Sequence, residues 1–143
     1  MADDFHLIRK IARISSITNN MCIVRLHKLE LTPAQSEAVL FVHEHPEESI
    51  SSLKNCLGIS HQAAQALVSR MKRKGIIQTE ISPIDSRQVT MRLTQLGNQT
   101  YTAILKDGAD ALSAITVGMT EEEKAALETL LDRLLSNLDS ARY

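Results

Sequence analysis

The sequence predicts a mainly α fold with a small β component, a winged helix-turn-helix with six helices and a small β-hairpin wing. Three observations carry this. Two short helical segments are separated by only Gly58-Ile59-Ser60, two β-prone runs follow them directly, and the positive charge of the chain is concentrated in that same stretch.

The elements follow in order from spacing and punctuation. Ile8, Ile11, Ile14, Ile17, Met21 and Val24 recur every three or four residues, which stacks them on one face of a first helix over about residues 5–28. Thr32-Pro33-Ala34-Gln35 combines a capping Thr, a Pro at the first helical position and a Gln three residues on, a capping box that opens a second helix running to about Glu44. Pro46 ends it. Ser51 restarts a short helix with Leu53 and Leu57 facing inward, closed by Gly58 as a left-handed cap. Ser60 then caps a fourth helix whose inward stripe is Ala64, Leu67, Val68 and Met71, ending at Gly75. Ile76 to Ile81 and Val89 to Leu93 read as strands joined by the turn-rich segment Ser82 to Gln88. A fifth helix runs from Thr94, with Leu96, Ile104, Leu105, Leu112 and Ile115, to the break at Gly118. Thr120 to Glu123 is a second capping box, opening a last helix with Leu127, Leu130, Leu131, Leu134, Leu135 and Leu138.

Composition bounds the function classes. A chain of 143 residues suits one subunit, 1–143, with no room for a second catalytic domain. No apolar stretch approaches the roughly 20 residues that cross a bilayer, and the opening Met1-Ala2-Asp3-Asp4 is acidic rather than basic, so neither secretion nor a membrane partner is expected. Cys22 and Cys56 are too few for a disulfide framework, which makes a reducing cytoplasm the expected location. Residues 1–48 carry five Lys/Arg against seven Asp/Glu (−2), residues 49–97 seven against two (+5) and residues 98–143 four against eight (−4), together the overall −1. One central module is basic.

No Ser/His/Asp order, no carboxylate pair in an apolar setting and no Gly-rich phosphate loop is present, so an enzyme is not expected, and no cofactor. His43 and His45 lie two apart near a helix end, off a common face, with no ligand cluster beside them, so no metal site is expected and a surface or partly packed role is the plainer reading. His27 reads as a packed histidine, and Cys22 as a small hydrophobe near the apolar stripe.

The fourth helix is the candidate reading element. An α-helix fits the major groove of B-DNA, where each base pair shows its own donor and acceptor pattern. Opposite the apolar stripe stand Ser60, His61, Gln62, Gln65 and Ser69, short or amide side chains able to reach base edges. Arg70, Lys72, Arg73 and Lys74 follow, where cations bind phosphates and release condensed counterions. In the wing, Asp85 and Arg87 sit two apart and point the same way on an extended chain, so they can pair. An Arg held at a hairpin tip can enter the narrow, electronegative minor groove; the alternative is that the pair only stabilises the turn.

These motifs resemble the multiple antibiotic resistance regulator (MarR) family. The resemblance runs through Leu57-Gly58-Ile59-Ser60, Leu67 to Met71, Gly75-Ile76-Ile77, Pro83-Ile84-Asp85-Ser86-Arg87, and Val89 to Gly97 with its Leu93-Thr94-Gln95-Leu96-Gly97 ending. It covers essentially the whole chain, and Asp-x-Arg followed by a strand and Leu-Thr-x-x-Gly is its most specific part. It implies a sequence-specific regulator of transcription, an obligate homodimer in which the first, fifth and sixth helices form the dimer region, and a pseudo-palindromic operator in double-stranded DNA. By analogy, it implies repression relieved by a small, often anionic aromatic effector. Two positions depart from the pattern: Thr79 and Ala66 stand where many members carry Arg. The corresponding division is 30–97 for DNA binding, with 1–29 and 98–143 for dimerisation. Three apolar helical stripes are more than one small winged domain hides, which independently favours a second subunit. The alternative reading is a winged-helix protein-interaction module without sequence-specific DNA binding, which a shallow salt dependence of binding would reveal.

Overall fold

A computed structural model describes residues 2–141; Met1, with which the acidic opening begins, and Arg142 and Tyr143, at the end of the 1–143 span, lie outside the described residues. The elements are α1 (Ala2–Lys28), α2 (Pro33–Glu44), α3 (Ile50–Leu57), α4 (His61–Arg73), β1 (Ile77–Ile81), β2 (Val89–Leu93), α5 (Gln95–Ile115) and α6 (Glu121–Ser140). The expected six helices and hairpin are therefore observed. The chain divides into two compact units, one ending at Asp107 and one starting at Gly108.

In the first unit the local signals act as the sequence implies. Thr32 accepts the Gln35 N–H while the Gln35 side chain accepts the Thr32 N–H, so the capping box of α2 is complete. The Ser60 hydroxyl accepts from Ala63 N–H at 3.1 Å and opens α4, and Gly58 ends α3 at φ +63°, a conformation that costs glycine nothing. Leu53, Val39, Val42, Met71 and Met91 are fully buried together, so one core joins α2, α3, α4 and β2. The four-residue stripe of α4 is buried as spaced.

β1 and β2 pair antiparallel with Ile77 opposite Leu93 and Ile81 opposite Val89. A further pairing was not foreseen. Glu47 N–H donates to Met91 O at 2.9 Å, Met91 N–H donates to Glu48 O at 3.1 Å, and Ser49 bridges to Thr90. The residues after Pro46 thus add an edge to the wing, and α3 begins at Ile50 with Ser49 as its cap rather than at Ser51. Three polar residues after a proline carry no alternation from which a strand can be read.

The Leu93 to Gly97 motif has a packing reason. Thr94 Oγ1 donates to the Ile76 carbonyl at 3.2 Å and accepts the Gly97 N–H at 3.0 Å, starting α5 against the turn after α4. A Cβ on Gly97 would lie 2.2 Å from Ile76 O. Only glycine permits that approach. Arg25 and Asp107 pair at 3.1 Å and tie α1 to α5 within this unit.

In the second unit, Gly118 turns the chain at φ +83° and Thr120 with Glu123 forms the second capping box. All six leucines of α6 are exposed, between 41% and 66%. Leu127, Leu131 and Leu135 border an open groove of about 590 Å³ with Leu112 and Thr116.

Candidate nucleic-acid interface

The outer face of α4 is polar at every position outside the buried stripe except Ala63 and Ala66. His61, Gln62, Gln65 and Ser69 are all exposed, and Arg70, Lys72 and Arg73 follow them on the last turn. None of these seven side chains makes a hydrogen bond or ion pair among the described residues. Their donors and acceptors face water, the condition for exchanging water for a ligand without breaking protein contacts. Ser60, in contrast, has its hydroxyl engaged as the helix cap. That bond uses the hydroxyl as an acceptor and leaves its O–H free to donate.

Ser82 to Gln88 form a closed loop between the strands. Ser82 Oγ accepts from the Ile84 and Asp85 N–H groups, and Gln88 N–H donates to Asp85 O at 3.0 Å. Asp85 Oδ1 accepts both the Arg87 N–H at 3.0 Å and Arg87 Nε at 3.2 Å. The pair expected from spacing is therefore formed, and the Arg87 side chain is still 89% exposed. Both alternatives keep support: the carboxylate shapes the turn through the main chain and aims the guanidinium outward.

Two features escaped the sequence reading. Ile84 projects from the wing 96% exposed, with nothing in local spacing to mark an apolar tip. Lys74, sequentially one of four cations, turns away from the others: its ammonium donates to Glu30 O and to Gln35 Oε1, the latter at 3.0 Å. Arg92, on the wing, pairs with Glu47 across the added edge. Of the two departures from the family pattern, Ala66 is exposed on α4 and Thr79 sits half-buried opposite Met91.

The remaining candidates are dispersed. His43 stacks on Tyr101 with ring centroids 3.6 Å apart, while His45 lies against Phe41 at 5.0 Å, so the two imidazoles have separate aromatic partners. Cys22 and Cys56 are free and exposed; Cys22 is not packed away as a small hydrophobe within this chain. Among the described residues no group of three His, Cys, Asp or Glu converges as a metal would require, and no helix is long and apolar enough to cross a membrane.

Comparison with known proteins bears on this geometry. The MarR family profile matches residues 29–88. The organic hydroperoxide resistance transcriptional regulator of Bacillus subtilis is 28% identical over 116 residues, 76% of either chain, and the HTH-type transcriptional repressor IacR of Pseudomonas putida is 25% identical over 115 residues, 80% of this chain and 69% of that one. A cysteine-to-serine mutant of MarR from E. coli, solved in complex with operator DNA, superposes with a TM-score of 0.75 at 25% identity, covering 93% of this chain and 96% of the other. The profile match spans the helix-turn-helix and the wing up to Gln88, and the shared fold extends over more than nine-tenths of the sequence. Residues 29–88 thus match the MarR family, and over most of its length the chain is similar to helix-turn-helix transcriptional regulators of that family.

Proposed function

We propose that this chain is a sequence-specific DNA-binding regulator of transcription, most simply a repressor, that binds a pseudo-palindromic operator as a homodimer and resides with the DNA in the cytoplasm. It is not an enzyme. The observation that carries the reading is the unpartnered polar face of α4, running into Arg70, Lys72 and Arg73, beside a wing that presents Arg87. The amide and imidazole groups of His61, Gln62, Gln65 and Ser69 read base edges in the major groove, the cations at the helix end hold phosphates, and Arg87 with its Asp85 support enters the minor groove.

The division of labour follows the charge. Residues 30–97 bind DNA, while 1–29 and 98–143 pair two copies, covering the exposed leucines of α6 and the isoleucines of α1. Two-fold pairing spaces the reading helices about 34 Å apart, one turn of duplex. The relatives named as a repressor and as a hydroperoxide resistance regulator support transcriptional control, and the operator complex of MarR supports the docking mode. A small effector, by family analogy an anionic aromatic compound, would act by binding two dimer conformations unequally.

Selection of bound sequences from a random duplex pool tests the reading. The expected result is a palindrome with half-sites one turn apart and affinity that falls steeply with salt. Recovery of no preferred sequence, with binding insensitive to salt, would overturn it in favour of a winged-helix protein-interaction module.

A further inference from the structure

The last turn of α4 and its C-cap hold four cations within five residues, and their spacing gives no reason to treat them differently. The structure separates them. Arg70, Lys72 and Arg73 have no protein partner among the described residues, whereas Lys74 bonds the turn between α1 and α2.

That turn is an unusual acceptor. α1 closes with Leu31 N–H donating to Leu26 O at 3.0 Å, and the residue inside this closure, Glu30, has φ +57°. This is the left-handed position that glycine normally fills at a helix end, and a residue with a Cβ is strained there. The Glu30 carbonyl accepts the Lys74 ammonium, which also places a cation at the electronegative C-terminal end of α1. The second acceptor, Gln35 Oε1, belongs to a side chain only 5% exposed and simultaneously accepts the Thr32 N–H that starts α2. One ammonium thus spans the end of α1, the start of α2 and the end of α4. Lys74 is itself the C-cap of α4, followed by Gly75 at φ +75°, so its side chain leaves the helix where the chain turns into the wing.

We propose that Lys74 is a positioning residue: it fixes the C-terminal end of the reading helix to the α1–α2 turn and sets the angle at which α4 meets the duplex, instead of contributing a phosphate contact. The inference rests on the DNA-binding reading above. It makes the α1–α2 turn a point at which a shift of the first helix is passed directly to the reading helix.

The experiment measures binding of the full-length wild type, Lys74→Met and Lys72→Met to two duplexes of equal length, the one recovered by selection and a scrambled one, across a series of salt concentrations. For Lys74→Met, affinity for the selected duplex falls about five- to tenfold, or roughly 1–1.4 kcal/mol, because α4 no longer holds its docking angle, while affinity for the scrambled duplex changes little. Its slope of log K against log salt stays at the wild-type value. Lys72→Met shows the contrary pattern, an equal loss on both duplexes and a slope shallower by about 0.9, the signature of one lost phosphate contact. Circular dichroism at the assay temperature establishes that each variant is folded, and Lys74→Gln, which keeps an uncharged amide donor group, falls between wild type and Lys74→Met. A Lys74→Met slope reduced like that of Lys72→Met makes Lys74 a phosphate ligand and overturns the proposal; so does a lowered Tm with the ratio between duplexes unchanged, which is a merely structural role. If the wild type itself does not distinguish the two duplexes, the DNA-binding reading fails, and the Lys74 assignment with it.

Discussion

Arg87 and Asp85 are joined twice at one oxygen: Asp85 Oδ1 accepts the Arg87 main-chain N–H at 3.0 Å and the Arg87 Nε at 3.2 Å. Only the first contact needs no side chain from Arg87. Replacing the arginine therefore leaves the turn intact, and the exposed ion pair that is lost is worth about 0–1 kcal/mol. Arg87→Ala is expected to leave Tm nearly unchanged and to cost about 1–3 kcal/mol in binding to the selected duplex. Asp85→Ala removes both contacts, so it is expected to lower Tm as well as affinity. Calorimetry beside a binding titration separates the two; a large Tm loss in Arg87→Ala would assign the pair to the turn alone.

Gly97 is the second test of the wing's seating. Its Cα passes so near the Ile76 carbonyl that an alanine Cβ would sit 2.2 Å from the oxygen, with Leu93 Cβ at 3.1 Å behind it. A main-chain carbonyl on one side and a Cβ fixed directly to the Leu93 main chain on the other leave no flexible group to yield. Gly97→Ala is expected to lower stability by about 1–3 kcal/mol despite the better helix propensity of alanine, read as a lower urea midpoint. An unchanged or raised midpoint would mean that α5 starts farther from the α4–β1 turn than described.

The helices and the hairpin were legible because each carries its own signal: the stripe of α4, the capping boxes at Thr32 and Thr120, and the strand alternation from Val89 to Leu93 act locally and survive in the fold. Even the Asp85–Arg87 pair is a two-residue relationship. What was not legible depends on distant parts of the chain. The Glu47–Ser49 edge exists only because Met91 and Thr90 come beside it, and the direction of Lys74 is set by Glu30 and Gln35, 44 and 39 residues away. Among neighbouring cations such as Lys72 and Lys74, spacing along a helix end does not tell which one finds a protein acceptor.

Met91 links the wing to the core. It is fully buried, pairs with Thr79 across the hairpin, and exchanges main-chain bonds with Glu47 and Glu48 on its other edge. Met91→Ala leaves those main-chain bonds but opens a cavity, with an expected loss of about 2–5 kcal/mol. The loss should appear in the unfolding of the whole first unit, followed by denaturant titration, since Leu53 and Met71 belong to the same cluster. A change restricted to hydrogen exchange in the wing, with the global midpoint kept, would show that the hairpin is not part of that cooperative core.

Pairing of two copies makes the last and broadest prediction. Leu131 and Leu134 are 48% and 41% exposed on α6, beside Leu127, Leu130, Leu135 and Leu138. Leaving that stripe in water is costly at roughly 25 cal/mol per Å² of apolar surface, and within its own unit α6 has no buried residue that would explain six leucines. Wild type is expected to sediment as a dimer. Leu131→Glu places a charge inside the proposed seam, so dissociation should become measurable at micromolar concentration, and binding to the palindromic duplex should weaken and become concentration-dependent, because two tethered reading heads are replaced by two separate ones. Circular dichroism of the variant at high concentration checks that α6 is retained. A wild type that sediments as a monomer while still selecting a palindrome would remove α6 from the dimer region and require the duplex itself to bring two copies together.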